Sequence, residues 1–239
     1  AGHQEIHHLP LPGIGNQAGK HRDVRQCRFF FEAEHDQRRK QTLLAPVRIA
    51  ALHHLPGIGG AGDFLGTATF VGTFSGSATI DGDVDGNWTF RSSVPASAQL
   101  QAIDWLDVDA LRNFGGQIVS GDTIDLSVGG SITGTTDLVA GGDIDLVVTG
   151  SILPGAQIST ADALTATVGG NVSGNLTSSD EMKLDVTGAI SNATLASYSD
   201  ISVDVGRGIS NTRMTGSEIT IVVVGGITNS KITASSEVS

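Results

Sequence analysis

Three aspartates alternate in "DGDVDGNW" (81–88): Asp81, Asp83 and Asp85, with Gly86 after them. A helix–loop–helix calcium loop opens in this way, because hard oxygen ligands two residues apart turn towards one ion. That loop needs a bidentate glutamate at its twelfth position, and Ser92 stands there. It also needs flanking helices, and the flanks here read as strand. Placing "GTFSGSATID" (72–81) above "GDVDGNWTFR" (82–91) aligns Gly72 with Gly82, Phe74 with Val84 and Gly76 with Gly86, a period of ten. The aspartates then fall on alternating outward positions of a strand whose inward side includes Val84. We reject the helix–loop–helix type. Asp81, Asp83 and Asp85 remain candidates for a weakly held surface calcium, the one cofactor the sequence offers.

Other residues invite chemistry less clearly. "HHLPLPGIG" (7–15) and "HHLPGIG" (53–59) place His7, His8, His53 and His54 in repeated settings. Imidazoles suit zinc, copper or nickel, but adjacent histidines point apart, and a loose basic leader or an end cap explains them more simply. Cys27 has Arg25 and Arg28 beside it, which favours its thiolate, yet no partner for a nucleophile is identifiable. No G-x-S-x-G, H-E-x-x-H or phosphate-binding loop occurs. Carboxylates for a polysaccharide lyase or glycosidase are available at Asp104, Asp107 and Asp109, or at Asp125 and Asp145 stacked in register. The basic partners are sparse: Arg112, Lys183, Arg207, Arg213 and Lys231. Trp88, Trp105 and Tyr198 are the only large polar-edged aromatics for sugar stacking, and the two tryptophans read as core or cap residues. Stacked Asp125 and Asp145 more simply keep an exposed strand soluble.

The elements that must carry these residues divide the chain unevenly. Residues 1–60 hold eight of the 14 Lys+Arg and five of the 25 Asp+Glu, a net charge of +3; the remainder holds six and 20, a net charge of −14. All seven histidines and the single cysteine precede residue 55. This predicts a basic, His-rich leader or N-terminal cap over 1–62 and a repeat domain over 63–239. The acidic part repels nucleic acid and anionic membranes, and no apolar run reaches membrane-span length. One cysteine excludes an internal disulfide. "FFFEAEHDQRRKQTLL" (29–44) reads as a short amphipathic helix capping the repeat; the abrupt composition also leaves room for non-native coding sequence.

The repeat dominates from Ile124 onwards. "IDLSVGGSITGTTDLVAGGD", "IDLVVTGSILPGAQISTADA" and "LTATVGGNVSGNLTSSDE" follow one another, and three more copies start at Met182, Ile201 and Ile219. A weaker copy reads from Ile103. The equivalent positions Ile132, Ile152, Val172, Ile190, Ile209 and Ile227 are spaced 20, 20, 18, 19 and 18 residues apart. Each copy opens with period-two alternation, the mark of a half-buried strand, and Gly and Ser weaken any helix. One coil of 18–20 residues cannot bury its own apolar face, whereas a stack of coils can. At the corner stand Gly134, Gly174, Asn192, Asn211 and Asn229, with Pro154 the exception. Gly and Asn tolerate positive φ, so this corner is expected to need it in each coil.

The template "GGDIDLVVTGSI", with its [IV]-[ST]-[NG] corners, resembles the repeats of filamentous-haemagglutinin-type large bacterial exoproteins and other autotransporter-passenger-like repeats. The resemblance covers residues 100–239 and reaches towards 65. It implies an all-β fold, a right-handed parallel β-helix with an irregular or partly helical N-terminal segment. It also implies an extracellular or cell-surface setting and a structural or adhesive role without catalysis, towards host or matrix glycans or proteins. It carries over no functional residue. The chain stops within the template, which leads us to expect further coils of a longer chain as its neighbours. A carbohydrate-active β-helix enzyme is the alternative.

Overall fold

The computed structural model describes residues 68–79 and 87–239 fully, and the backbone of 47–49, 57–61, 64–65, 80–81 and 84–85. The described chain is all-β, a parallel β-solenoid of about nine turns. Three ladders of parallel strands run along it. The first contains Asn87–Phe90, Leu106–Ala110, Ile124–Val128, Ile144–Val148, Leu164–Val168, Met182–Val186 and Ile201–Val205. The second contains Gln99–Ala102, Gln117–Ser120, Asp137–Ala140, Gln157–Thr160, Asn175–Ser178 and Thr194–Ser197. Arg213–Val223 runs through both ladders. The third is narrow: single bridges join Val94, Phe114, Ile132, Ile152, Val172 and Ile190, and continue in Ile190–Ser191, Ile209–Ser210 and Ile227–Thr228. Pairing also reaches back, from Ala68–Phe70 to Val47–Ile49 and from Ser77–Asp81 to Gly57–Ala61. Residues 62 and 63, where the sequence places a boundary, lie outside the described residues, as do the histidines, Cys27 and the segment 29–44.

The alternation in the sequence becomes the wall of the coil. Ile144, Leu146 and Val148 are buried while Asp145 and Val147 face out. Each inward residue sits on its counterpart one coil away, so Ile124, Ile144 and Leu164 form one apolar column. Burial of one such side chain contributes roughly 1.5–3 kcal/mol, and it is available only once the neighbouring coil is in place. The first described coils are filled by aromatics instead: Phe70 stacks on Phe90 at 4.6 Å, with Phe74 and Trp88 packed around Phe70. Trp88 is buried, as expected.

The register of the early copy needs correction. It begins at Leu106, which pairs with Ile124, and not at Ile103, which is 51% exposed. A start at Ile103 aligned with Ile124 would set Trp105 level with Leu126; Val108 occupies that position, and Trp105 stands half-buried on the corner before the strand. The cause is the second apolar series, Leu106, Val108 and Ala110, which alternates correctly and outweighs the lone Ile103.

The variable coil length has one main origin. From first to third ladder the step is constant, as in Val128 to Ile132 and Val168 to Val172. From third to second it changes: Ile152 to Gln157, Ile190 to Thr194, Val172 to Asn175. The longest form is a turn closed by Ala156 N–H donating to Leu153 O, with Gly155 at φ 95°. The middle form uses one left-handed residue, Asn192, Asn211 or Asn229, at φ 53°, 49° and 50°. The expectation of positive φ in every coil holds for these asparagines but not for Gly134 and Gly174. Gly174 is needed for space: a Cβ there would lie 2.9 Å from Ile152 Cγ2.

At the corner between first and third ladders a side chain of one coil serves the backbone of the next. Ser131 N–H donates to Asn113 Oδ1 (2.9 Å), Ser151 N–H to Ser131 Oγ (3.0 Å), Asn171 N–H to Ser151 Oγ (2.9 Å) and Ala189 N–H to Asn171 Oδ1 (2.9 Å). The glycine before each of these donor N–H groups makes room. A Cβ on Gly150 would lie 2.5 Å from Ser131 Oγ, and one on Gly188 2.5 Å from Asn171 Oδ1. This coupling explains why "GGS", "TGS" and "GGN" recur.

Candidate functional site

The strand Leu106–Ala110 turns Asp107 and Asp109 outward because Leu106, Val108 and Ala110 claim the interior. Parallel registration then sets Asp107 opposite Asp125, and Asp125 opposite Asp145. Rungs of a parallel ladder are about 4.8 Å apart, so three carboxylates form a column, with Asp109 beside it. Like charges directly opposite repel. Two neutral donors moderate this: Asn87 Nδ2 donates to Asp107 Oδ1 (3.1 Å) and Asp109 Oδ2 (2.9 Å), and Trp105 Nε1–H donates to Asp125 Oδ2 (2.9 Å).

Burial raises the Asp107 carboxyl above its ordinary range; the Asn87 hydrogen bond acts against this, and the charges of Asp109 and Asp125 add to it. Asp145 is raised too, by burial first and then by Asp125 and Asp143. No cation is among the causes of either shift. A carboxyl raised in this way holds its proton longer, as a general acid must.

The structure brings together Asp107, Asp109, Asp125 and Asp145, all singled out from sequence. Trp105 joins them through its indole N–H, and so sits at this surface and not in the core. Of the basic residues, Lys183 stands in the same column, two rungs beyond Asp145 with Thr165 between them; Arg112, Arg207, Arg213 and Lys231 lie outside it. Tyr198 is 85% exposed on a distant corner. Asp81 closes Ser77–Asp81 and Asp85 closes Val84–Asp85, two separate strands; Asp83 lies outside the described residues, and so do the side chains of the trio. Among the described residues no group of three His, Cys, Asp or Glu is placed to hold a metal ion.

Sequence reasoning missed Asn87. Its signal was present: twenty residues separate Asn87 from Asp107, one coil length, and the register follows from that spacing. It also missed a hydroxyl column at the corner between second and first ladders. There the buried hydroxyls of Ser120, Thr160 and Ser197 donate to the backbone carbonyls of Asp104, Gly142 and Asp180. Comparison with family models, with curated proteins and with solved structures finds no match to this chain.

Proposed function

We propose that this chain is a structural and adhesive segment of a secreted or surface-attached bacterial protein, acting as a stiff spacer without chemistry of its own. The observation that carries the reading is the unbroken stack itself. From Leu106 to Val205 every coil repeats the same three-sided plan, and the outward positions hold mostly Asp, Ser, Thr, Asn and Gln. Such a stack is long and rigid, and each coil contacts only its neighbours. The likeness of the template to filamentous-haemagglutinin-type repeats supports the same setting, as does the net charge of −14 beyond residue 60, which keeps the rod soluble.

Protein-coated beads should be retained on surfaces bearing matrix glycans or matrix proteins, in a dose-dependent way, while soluble polysaccharides incubated with the protein keep their length. Absent retention together with polysaccharide cleavage would replace this reading with the enzymatic one. That second reading draws on the column of Asp107, Asp125 and Asp145. Its rung spacing of about 4.8 Å lies close to the roughly 5–5.5 Å between the carboxyls of a retaining glycosidase, and the Asp107 carboxyl is raised.

A further inference from the structure

An open groove of about 480 Å³ lies on the corner between the first and third ladders, near the start of the repeat. Arg91, Arg112, Ser93, Asn113 and Leu111 line it. Gly129 and Gly130 complete the lining without side chains, and no lining residue is acidic. In a region of net charge −14, two arginines therefore line one groove that has no carboxylate in its lining. Neither has an ion-pair partner among the described residues.

Asn113 adds further donors to the groove. Asn113 Oδ1 is committed to Ser131 N–H at 2.9 Å, which leaves its Nδ2 hydrogens available. The backbone adds another donor. At this column Ser131, Ser151, Asn171 and Ala189 each donate N–H to a side chain of the preceding coil. The equivalent N–H of Asn113 has no such acceptor, because Ser93 does not close the series among the described residues. Gly130 is held to glycine by Asn113 itself, since a Cβ there would meet Asn113 Oδ1. The groove thus gathers two guanidiniums, a carboxamide NH₂, a backbone N–H and a hydroxyl, beside the 55% exposed side chain of Leu111.

We propose that this groove binds the carboxylate of an acidic polysaccharide, a uronate unit. Guanidinium groups take a carboxylate through paired, charge-assisted hydrogen bonds. Ser93 and Asn113 suit ring hydroxyls, and Leu111 offers one apolar contact. The groove is open along the rod, which lets a polymer pass through, and it has no deep apolar socket to anchor a peptide side chain. The inference deepens the surface reading and rests on it for the setting in which such a glycan is met. The groove itself is tested in solution.

Calorimetric titration of the whole chain with oligogalacturonate should give saturable, salt-sensitive binding, and a neutral malto-oligosaccharide should give none. Arg91→Gln with Arg112→Gln should weaken binding at least about tenfold, while Arg213→Gln, a remote exposed cation, should leave it within about twofold. All of these positions are exposed, so unchanged circular dichroism and melting temperature are expected to show that folding is intact. Equal loss in Arg213→Gln would reveal diffuse charge attraction and overturn the proposal. Binding of polyglutamate as tight as that of oligogalacturonate would overturn the choice of a sugar. No binding of either would overturn the site, while bead retention would still report on the adhesive reading separately.

Discussion

At the scale of single residues, the corner glycines and their partners give the sharpest expectations. A Cβ on Gly170 would lie 2.6 Å from the Gly150 carbonyl oxygen as well as against Ser151 Oγ. Gly170→Ala should cost roughly 3 kcal/mol in urea unfolding, because backbone must move to admit it. Ser151→Ala removes one acceptor from the Asn171 N–H and should cost only about 1 kcal/mol. The double variant should stay near the cost of Gly170→Ala, since the carbonyl clash survives. At Asn211, φ 49° is a conformation that asparagine and glycine tolerate and alanine does not; Asn211→Ala should cost about 1–2 kcal/mol and Asn211→Gly much less. Part of this was readable beforehand: the left-handed asparagines follow from residue type. The reason for Gly130, Gly150 and Gly170 was not readable, because it lies in a side chain of the preceding coil.

At the scale of the strand and its ladder, columns decide the outcome. Ile152 bridges Ile132 and Val172 and is fully buried. Ile152→Ala should cost about 3 kcal/mol, and Val139→Ala, on an outward position, within about 0.5 kcal/mol. The acidic column has a definite pH signature. Asp107 and Asp145 have folded-state pKa values raised above their unfolded ones. Between the two values the native state binds more protons than the unfolded state, so stability falls as pH rises through that window. These two carboxylates are thus a liability at neutral pH that acid relieves. Asp145→Asn should stabilise the protein at pH 7, by less than about 1 kcal/mol given its exposure. The gain should shrink near pH 4 and in high salt, as followed by thermal unfolding. The stacking of Asp125 on Asp145 was legible from equal spacing. The place of Trp105 was not, because Ile103 offered a plausible but wrong start for the strand; only the competition with Leu106, Val108 and Ala110 for the interior settles it.

At the scale of the whole molecule, stability is a sum over neighbouring coils. No described cluster is placed to hold a metal ion, and the stack from Leu106 onwards is held by apolar columns and side chain-to-backbone bonds. Limited proteolysis with mass spectrometry should leave that stack resistant both in calcium and in EDTA. Loss of protection in EDTA alone would place a structural ion at Asp81, Asp83 and Asp85 after all. The overall architecture was the most legible feature of the sequence, since a period of 18–20 residues with internal alternation admits few other folds. What surrounds the rod was less legible, because outward positions are constrained only by solubility.

The corner between the third and second ladders varies from coil to coil while the strands on either side keep their register. That makes it a natural graft point. A foreign loop or an affinity epitope inserted between Gly134 and Thr135 would lengthen one bend and leave every rung above and below it in place. The same solenoid can therefore be decorated along a single edge, one insertion per turn, as an addressable scaffold.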